Sequence, residues 1–321
     1  MSVFTRIEEQ ELAAFLAAYP VGTLRSYTGI ESGIENTNYF VSTTGGEYVL
    51  TLFERVDPND LPFFLHLTAF LAEHGIPCAH PVPDTNGDYV GTLHGKKAAL
   101  VMRLFGRSVM APSAAHCAAI GDVLARLHKA GASFSFGEER PNPRGPRWWR
   151  QAAERLAGHL DAEDAAILAE ELRFQGLYRF SDLPRGITHA DLFRDNALFD
   201  GERLTGVIDF YYACSDTWLY DLAITMNDWA SEEDGRLDFR RAEALLAAYQ
   251  NVRPLTSIER GAWPALLRAA ALRFWLSRLT DLHFPRAGEL THTKDPLAFR
   301  RILTARRRET PQLRGLWRTR G

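Results

Sequence analysis

The chain has 321 residues, 46% of them hydrophobic and 24% charged; this leaves room for two domains, or one domain of two lobes, and excludes disordered, collagen-like and coiled-coil classes. A net charge of −3 gives no overall basicity that would favour nucleic acid or anionic lipid. The basic excess is local: residues 299–321 carry eight Arg against one Glu, and only four of the 37 basic residues in the chain are Lys (Lys96, Lys97, Lys129, Lys294).

Residues 1–19 mix Glu8, Glu9 and Glu11 with apolar residues at helical spacing and hold no continuous apolar core, so they read as a helix and not as a signal peptide. Residues 24–53 alternate around a Gly45-Gly46 turn, the pattern of antiparallel strands. A helix over 61–74 is opened by Asn59, Asp60 and Pro62 and closed by Gly75 and Pro77. Two short strands are expected around Asn86-Gly87, then an apolar strand over 98–102 that runs out at Gly106.

From Ser113, an N-cap, the character turns helical, with Ile120, Val123, Leu124 and Leu127 on one face. A Pro/Gly loop at 141–146 precedes helices over 148–160 and 162–175; a β segment occupies 186–210, and helices resume near 220 and run to the end. No apolar run reaches about 18 residues. Cys78, Cys117 and Cys214 are far apart and form no CxxC pair, which fits neither a disulfide framework nor a zinc site and suggests a reducing, cytoplasmic setting. The ten His include no H-E-x-x-H spacing, which also speaks against zinc. The expected fold is α+β with two lobes: a sheet lobe over 1–104, a helical lobe over 105–321, and a hinge near 102–106.

The segment 188–210 carries the chemistry. His189, Asp191 and Asn196 have the spacing H-x-D-x4-N, a hairpin turns at Asp200-Gly201, and Asp209-Phe210 follows. Asn196 enters the hairpin and Asp209 leaves it at the same open end, so an amide oxygen and a carboxylate converge as a Mg²⁺ carrying nucleotide phosphates requires. Asp191, on the loop before them, is placed to accept the proton of a hydroxyl in phosphoryl transfer, and His189 to brace the loop backbone. A polar hairpin with Asp and Asn as turn formers is the competing reading. Upstream, Ser32, Gly33, Asn36 and Asn38 lie between two strands and offer backbone N–H groups and short polar side chains to an anion, although any hairpin loop holds such residues. The backbone from Met102 to Leu104 is placed to pair with adenine if 102–106 is a hinge rather than a buried edge strand.

On these residues the chain resembles the protein-kinase-like fold in its small-molecule branch, the aminoglycoside and choline phosphotransferases. The strings ESGIENTN at 31–38, YVLTLFE at 48–54, LPFF at 61–64, HADLF at 189–193, GVIDFY at 206–211 with Ala213 and Cys214, and YDLA at 220–223 are similar to those of the homoserine kinases of that branch. The resemblance runs nearly end to end. It implies MgATP-dependent phosphorylation of the hydroxyl of L-homoserine in threonine biosynthesis, with Asp191 as base, Asn196 and Asp209 as metal ligands, and Asp221 as the buried carboxylate that holds the catalytic loop.

One departure from the general kinase pattern is that the strand at 48–53 contains no Lys for the α/β-phosphates; its inward position is Thr51, as in homoserine kinases. Arg55, Lys96 or Lys97, or the metal with the loop backbone, is then expected to compensate. Homoserine carries a carboxylate, an ammonium and a hydroxyl, so its site needs an Arg fork; Arg194, Arg273 and Arg278 are the candidates, with Tyr211 and Trp218 as walls. Arg278 shares a helix with Asp281 and also reads as a structural partner for a buried Asp. The Arg-rich tail reads as a solvated terminal helix paired with the acidic body, and no nucleic-acid or membrane partner is expected; a homodimer is left open. Kinases of the same fold acting on choline, methylthioribose or an aminoglycoside are the alternatives, together with a nucleotide-binding pseudokinase. No A-P-E segment follows Asp209 to suggest a protein kinase.

Overall fold

A computed structural model describes residues 5–30, 36–178, 180–285 and 294–316. The alternation of the first segment forms strands β1 (Leu24–Gly29), β2 (Thr37–Thr43) and β3 (Glu47–Leu52), joined by β4 (Gly91–Leu93) and β5 (Lys96–Met102) in an antiparallel sheet of order β1-β2-β3-β5-β4. Helix α1 (Glu9–Leu16) buries Leu12 and Leu16 in one apolar cluster with Tyr39, Val41, Leu50 and Leu100. Helix α2 (Leu61–Glu73) joins two cores: Leu61 and Leu65 pack with Phe53 and Ala99, while Phe64, Leu67 and Leu71 belong to the large core of the helical lobe. Each such buried side chain contributes roughly 1.5–3 kcal/mol, so α2 ties the lobes together.

The β4–β5 hairpin does not form at Asn86-Gly87, where the sequence suggests strands. It turns at His94 and Gly95, both left-handed with φ of 53° and 73°, as a two-residue hairpin turn requires. Asn86-Gly87 is used instead in a local turn, where one Asp84 carboxylate oxygen accepts from the N–H groups of Asn86 (2.8 Å) and Asp88 (2.9 Å).

The helical lobe comprises α3 (Ala114–Gly131), α4 (Pro146–Leu156), α5 (Ala162–Gly176), α6 (Trp218–Trp229), α7 (Phe239–Val252), α8 (Ser257–His283), α9 (Pro296–Arg308) and α10 (Thr310–Leu313). Ser113 caps α3 as expected. A Cβ on Gly121 of α3 would lie 2.1 Å from the Leu245 carbonyl oxygen on α7, so only glycine permits that approach. Helix α8 starts at Ser257, where Thr256 and Glu259 form a capping box. Two small ladders lie among the helices: β6 (Arg185–Thr188) with β9 (Cys214–Thr217), and β7 (Ala197–Asp200) with β8 (Arg203–Val207).

Beyond β5, Gly106 has φ of 146° and a Cβ there would meet Thr205 Oγ1 at 2.3 Å. Arg107 and Phe199 then exchange two backbone hydrogen bonds of 2.9 Å, which fastens the connection to β7. The basic tail is paired with the acidic body, yet it is not solvated as expected. Phe299, Ile302 and Leu303 of α9 are buried, and so is Arg306, which donates to Asn227 Oδ1 (2.9 Å), the Gly235 carbonyl (3.1 Å), Ser231 Oγ (2.6 Å) and Glu309 (2.8 Å). Arg300 pairs with Glu163 and Asp164, and Arg307 with Glu170. The three cysteines are buried free thiols, and no helix among the described residues is long and apolar enough to cross a membrane.

Candidate active site

The loop after β6 begins with a residue in an unfavourable conformation: Ala190 has φ of 61°, costly for an L residue with a Cβ. The surrounding structure fixes it there. The backbone N–H groups of His189 and Ala190 donate to the two oxygens of the buried Asp221 carboxylate of α6, at 2.7 and 2.8 Å. His128 of α3 supplies a third bond to Asp221, Nε2 to Oδ2 at 3.0 Å. Burial by itself would raise the Asp221 pKa, but these hydrogen bonds and the imidazoles hold it below the usual carboxylate value.

The chain of bonds continues outward. Because Asp221 only accepts, His128 carries its proton on Nε2 and accepts at Nδ1 from Tyr249 Oη (2.7 Å). Tyr249 Oη accepts from Arg253 (3.1 Å), whose other nitrogen pairs with buried Glu259 (2.7 Å). Helices α3, α6, α7 and α8 are thus joined to the loop backbone by a continuous series of bonds, in which Asp221 accepts from both the loop and His128 and Arg253 donates to both Tyr249 and Glu259.

His189 does not face a substrate. Its Nδ1 accepts from the Asp191 N–H (3.3 Å) and its Nε2–H donates to the Ile208 carbonyl (3.0 Å), next to Asp209. Its ring is buried, and burial lowers its pKa, so it is a neutral brace between the two carboxylate-bearing segments. Asn196 donates through Nδ2 to the Asp191 carbonyl (2.9 Å) and to Asp191 Oδ2 (3.2 Å); the end of its amide that remains for a cation is the oxygen. Asp209 leaves β8 with φ of 63°, and the Ile208 N–H donates to the Asn196 carbonyl at 3.0 Å, so Asn196 and Asp209 are neighbours across the open end of the hairpin. The Asp191 carboxyl is pushed up to about 8 by burial, with Asp209 and Asp195 adding to the rise and Arg273 and Lys294 opposing it.

An amide oxygen and a carboxylate side by side are hard donors of the kind Mg²⁺ takes. Among the described residues no three His, Cys, Asp or Glu side chains cluster as a metal cage. The donor set therefore fits a Mg²⁺ that takes its remaining ligands from phosphate and water.

These residues open on a cleft of about 1210 Å³ between the lobes. Asn36, Asn38 and Thr51 border it from the sheet lobe, Met102 and Leu104 from the end of β5 and the residues after it, and Asp191, Asn196 and Asp209 from the loop after β6 and the open end of the β7–β8 hairpin. Tyr211, Arg273 and Arg278 complete the far wall. Thr51 Oγ1 donates to Asn38 Oδ1 at 2.7 Å, and Asn36 Oδ1 accepts from the Glu54 N–H at 3.3 Å. Ser32 and Gly33 lie outside the described residues.

Two expected pocket residues are not brought to the cleft. Trp218 stacks against His128 at 5.9 Å under the Arg253 guanidinium, so it supports the Asp221 chain instead of walling the pocket. Arg194 turns away to pair with Asp228 (3.1 Å) and to donate to the Met110 carbonyl (2.7 Å). Arg55, Lys96 and Lys97 border a separate cavity of the sheet lobe, where Lys96 is bonded to Glu54 and Thr5. Neither Asp195 nor Lys294, which both border the cleft and bond to each other at 2.6 Å, stands out in the sequence. The scarcity of lysine is the one signal that could have singled out Lys294.

Residues 26–255 match the phosphotransferase enzyme family. Over 317 residues and 99% of both chains, the protein is 52% identical to a homoserine kinase of Methylobacillus flagellatus; it is 51% identical over the same coverage to that of Methylobacillus glycogenes. Among solved structures it is similar to a microcompartment-associated aminopropanol kinase (TM-score 0.69, 19% identity, 95% and 98% of the two chains). It is also similar to an amicoumacin kinase in complex with AMP-PNP, Ca²⁺ and Ami (TM-score 0.68, 17% identity, 96% and 94% of the two chains). These two likenesses show the two-lobed kinase-like fold. The chain is a kinase that belongs to the phosphotransferase enzyme family and, within it, to the homoserine kinases.

Proposed function

We propose that the chain transfers the γ-phosphoryl group of ATP to the hydroxyl of L-homoserine, giving O-phospho-L-homoserine and ADP. The observation that carries this reading is Arg273 beside Asp191. The Arg273 side chain lies over the Phe274 ring at 3.7 Å, is only 5% exposed, borders the cleft, and makes no hydrogen bond among the described residues. A nearly buried guanidinium without a carboxylate partner is costly unless a ligand supplies the anion. An amino-acid carboxylate at Arg273 would leave the rest of a short substrate close to Asp191, whose pKa already feels the Arg273 charge. Of the other two candidates, Arg278 gives one nitrogen to the Asp295 carbonyl at 2.9 Å, and Arg194 is committed to Asp228.

Asp191 then acts as base. The hydroxyl oxygen attacks the γ-phosphorus, its proton passes to Asp191, and the bond to the β-phosphate oxygen breaks with the electron pair leaving on ADP. Asn196 and Asp209 hold Mg²⁺, which when bound neutralises charge on the phosphates. Asn36, Asn38 and Thr51 lie on the phosphate side of the cleft. At the hinge, the Met102 N–H donates to the His80 carbonyl and the Arg103 N–H to that of Glu47, whereas the Leu104 N–H makes no hydrogen bond among the described residues and is available to adenine. On this reading the lobes divide between 104 and 105, and the enzyme works in the cytoplasm.

An ADP-release assay with Mg²⁺, ATP and a panel of acceptors tests the assignment. Turnover of L-homoserine is expected to exceed that of choline, methylthioribose and kanamycin by orders of magnitude. Comparable turnover of any of these would overturn the substrate, and no turnover of any acceptor would point to a pseudokinase.

A further inference from the structure

The phosphate end of the cleft has no lysine from the sheet lobe. Thr51 occupies the strand position that faces it, and Arg55, Lys96 and Lys97 border a different cavity. A lysine of the helical lobe borders the cleft instead. Lys294 is the one lysine among the residues bordering the cleft. Its Nζ lies 2.6 Å from Oδ2 of Asp195, the residue directly before Asn196, and 5.6 Å from the centroid of the Phe193 ring. Its charge acts on Asp191 as well. It therefore borders the same cleft as Asp191, Asn196 and Asp209, paired to the residue next to Asn196 in the chain.

The ion pair itself does little for stability. The Lys294 and Asp195 side chains are 46% and 44% exposed, and such surface pairs contribute about 0–1 kcal/mol. A lysine is a compact point charge on a flexible stem, able to exchange one anionic partner for another nearby. We propose that Lys294 binds the γ-phosphate: when MgATP enters, its ammonium leaves Asp195 and donates to a non-bridging γ-oxygen, supplying from the helical lobe the charge that Thr51 cannot. This rests on the MgATP reading of the cleft given above. The phosphoryl transfer keeps its balance, since Lys294 exchanges no proton in the step and the hydroxyl proton still goes to Asp191. The contact lowers the dissociation constant of MgATP, and it lowers the barrier by the amount that it strengthens as charge redistributes over the γ-oxygens and the bridging oxygen in the transition state.

Titration calorimetry of the full chain with AMP-PNP and with ADP, each with Mg²⁺, isolates the γ-phosphate. In Lys294→Met, AMP-PNP is expected to bind about tenfold more weakly and ADP within twofold of wild type, and kcat with homoserine to fall about 10²-fold. Retained ADP binding would also show that the variant folds. A change of less than threefold in the ratio of the two dissociation constants overturns the role of Lys294. Neither titration needs an acceptor, so the ratio of the two dissociation constants is independent of whether homoserine is the substrate. A wild-type chain that binds neither nucleotide would instead overturn the MgATP reading, and this proposal with it.

Discussion

At the scale of single residues, the three arginines that are alike in the sequence separate by what each already touches. Arg194 is spent on Asp228 and the Met110 carbonyl; Arg273 has its guanidinium on the cleft with no hydrogen-bond partner among the described residues. Arg273→Ala is therefore expected to raise the homoserine KM about 10²-fold at saturating ATP, the loss of about 2–3 kcal/mol that a charge-assisted contact supplies. Arg194→Ala should leave that KM within about twofold and lower the melting temperature, because Asp228 loses the guanidinium and keeps only the backbone N–H of residue 194. Equal effects of the two on KM would remove Arg273 from the pocket. The same contrast applies to Thr51 and Asp209. Thr51 lends a hydroxyl to Asn38, whereas Asp209 is the proposed metal ligand. Thr51→Ala is expected to retain most of kcat and Asp209→Asn to lose at least about 10²-fold.

At the scale of elements, what could be read in the sequence was short in range. His189, Asp191 and Asn196 lie within one loop, and the hairpin that returns the chain to Asp209 has its own turn residues, so spacing alone places them together. His128 and Tyr249 are 121 residues apart, and His128 and Asp221 are 93 apart; no local pattern reports that α3, α6 and α7 bring them into one file. Lys294 and Asp195 are separated by 99 residues for the same reason. The Asn86-Gly87 turn was misplaced because an Asp two residues ahead can close such a turn by itself, and the hairpin went to His94-Gly95, where a histidine must adopt positive φ. The file of bonds makes a prediction about positioning. Tyr249→Phe removes the donor to His128 Nδ1 and the acceptor for Arg253 in a buried site, a loss of roughly 1–3 kcal/mol. Asp221 would then orient the loop less firmly. The expected result is a lower kcat with the KM values for ATP and homoserine nearly unchanged; a variant with wild-type kcat would show that the file supports only the fold.

At the scale of the whole molecule, the buried Asp221 carboxylate and its partner His128 hold the loop that borders the cleft between the lobes. This makes stability sensitive to mild acid. His128 is buried, and burial lowers its pKa more than the adjacent Asp221 raises it, so the folded state keeps its imidazole neutral. In the unfolded chain a histidine titrates near about 6.5. Below that pH the unfolded state binds a proton that the folded state resists, and stability falls as pH drops through the window. Asp221 has a depressed pKa, so its own contribution is retained until the pH falls below about 4, where an unfolded Asp becomes protonated. The melting temperature is thus expected to decline from pH 7 to pH 5, ahead of any carboxylate titration at Asp221. His128→Gln keeps a donor for Asp221 but cannot titrate; its melting temperature should be lower at pH 7 and decline less steeply towards pH 5. If the two slopes coincide, the acid sensitivity arises elsewhere, and His128 is a packing residue whose charge state the fold does not use.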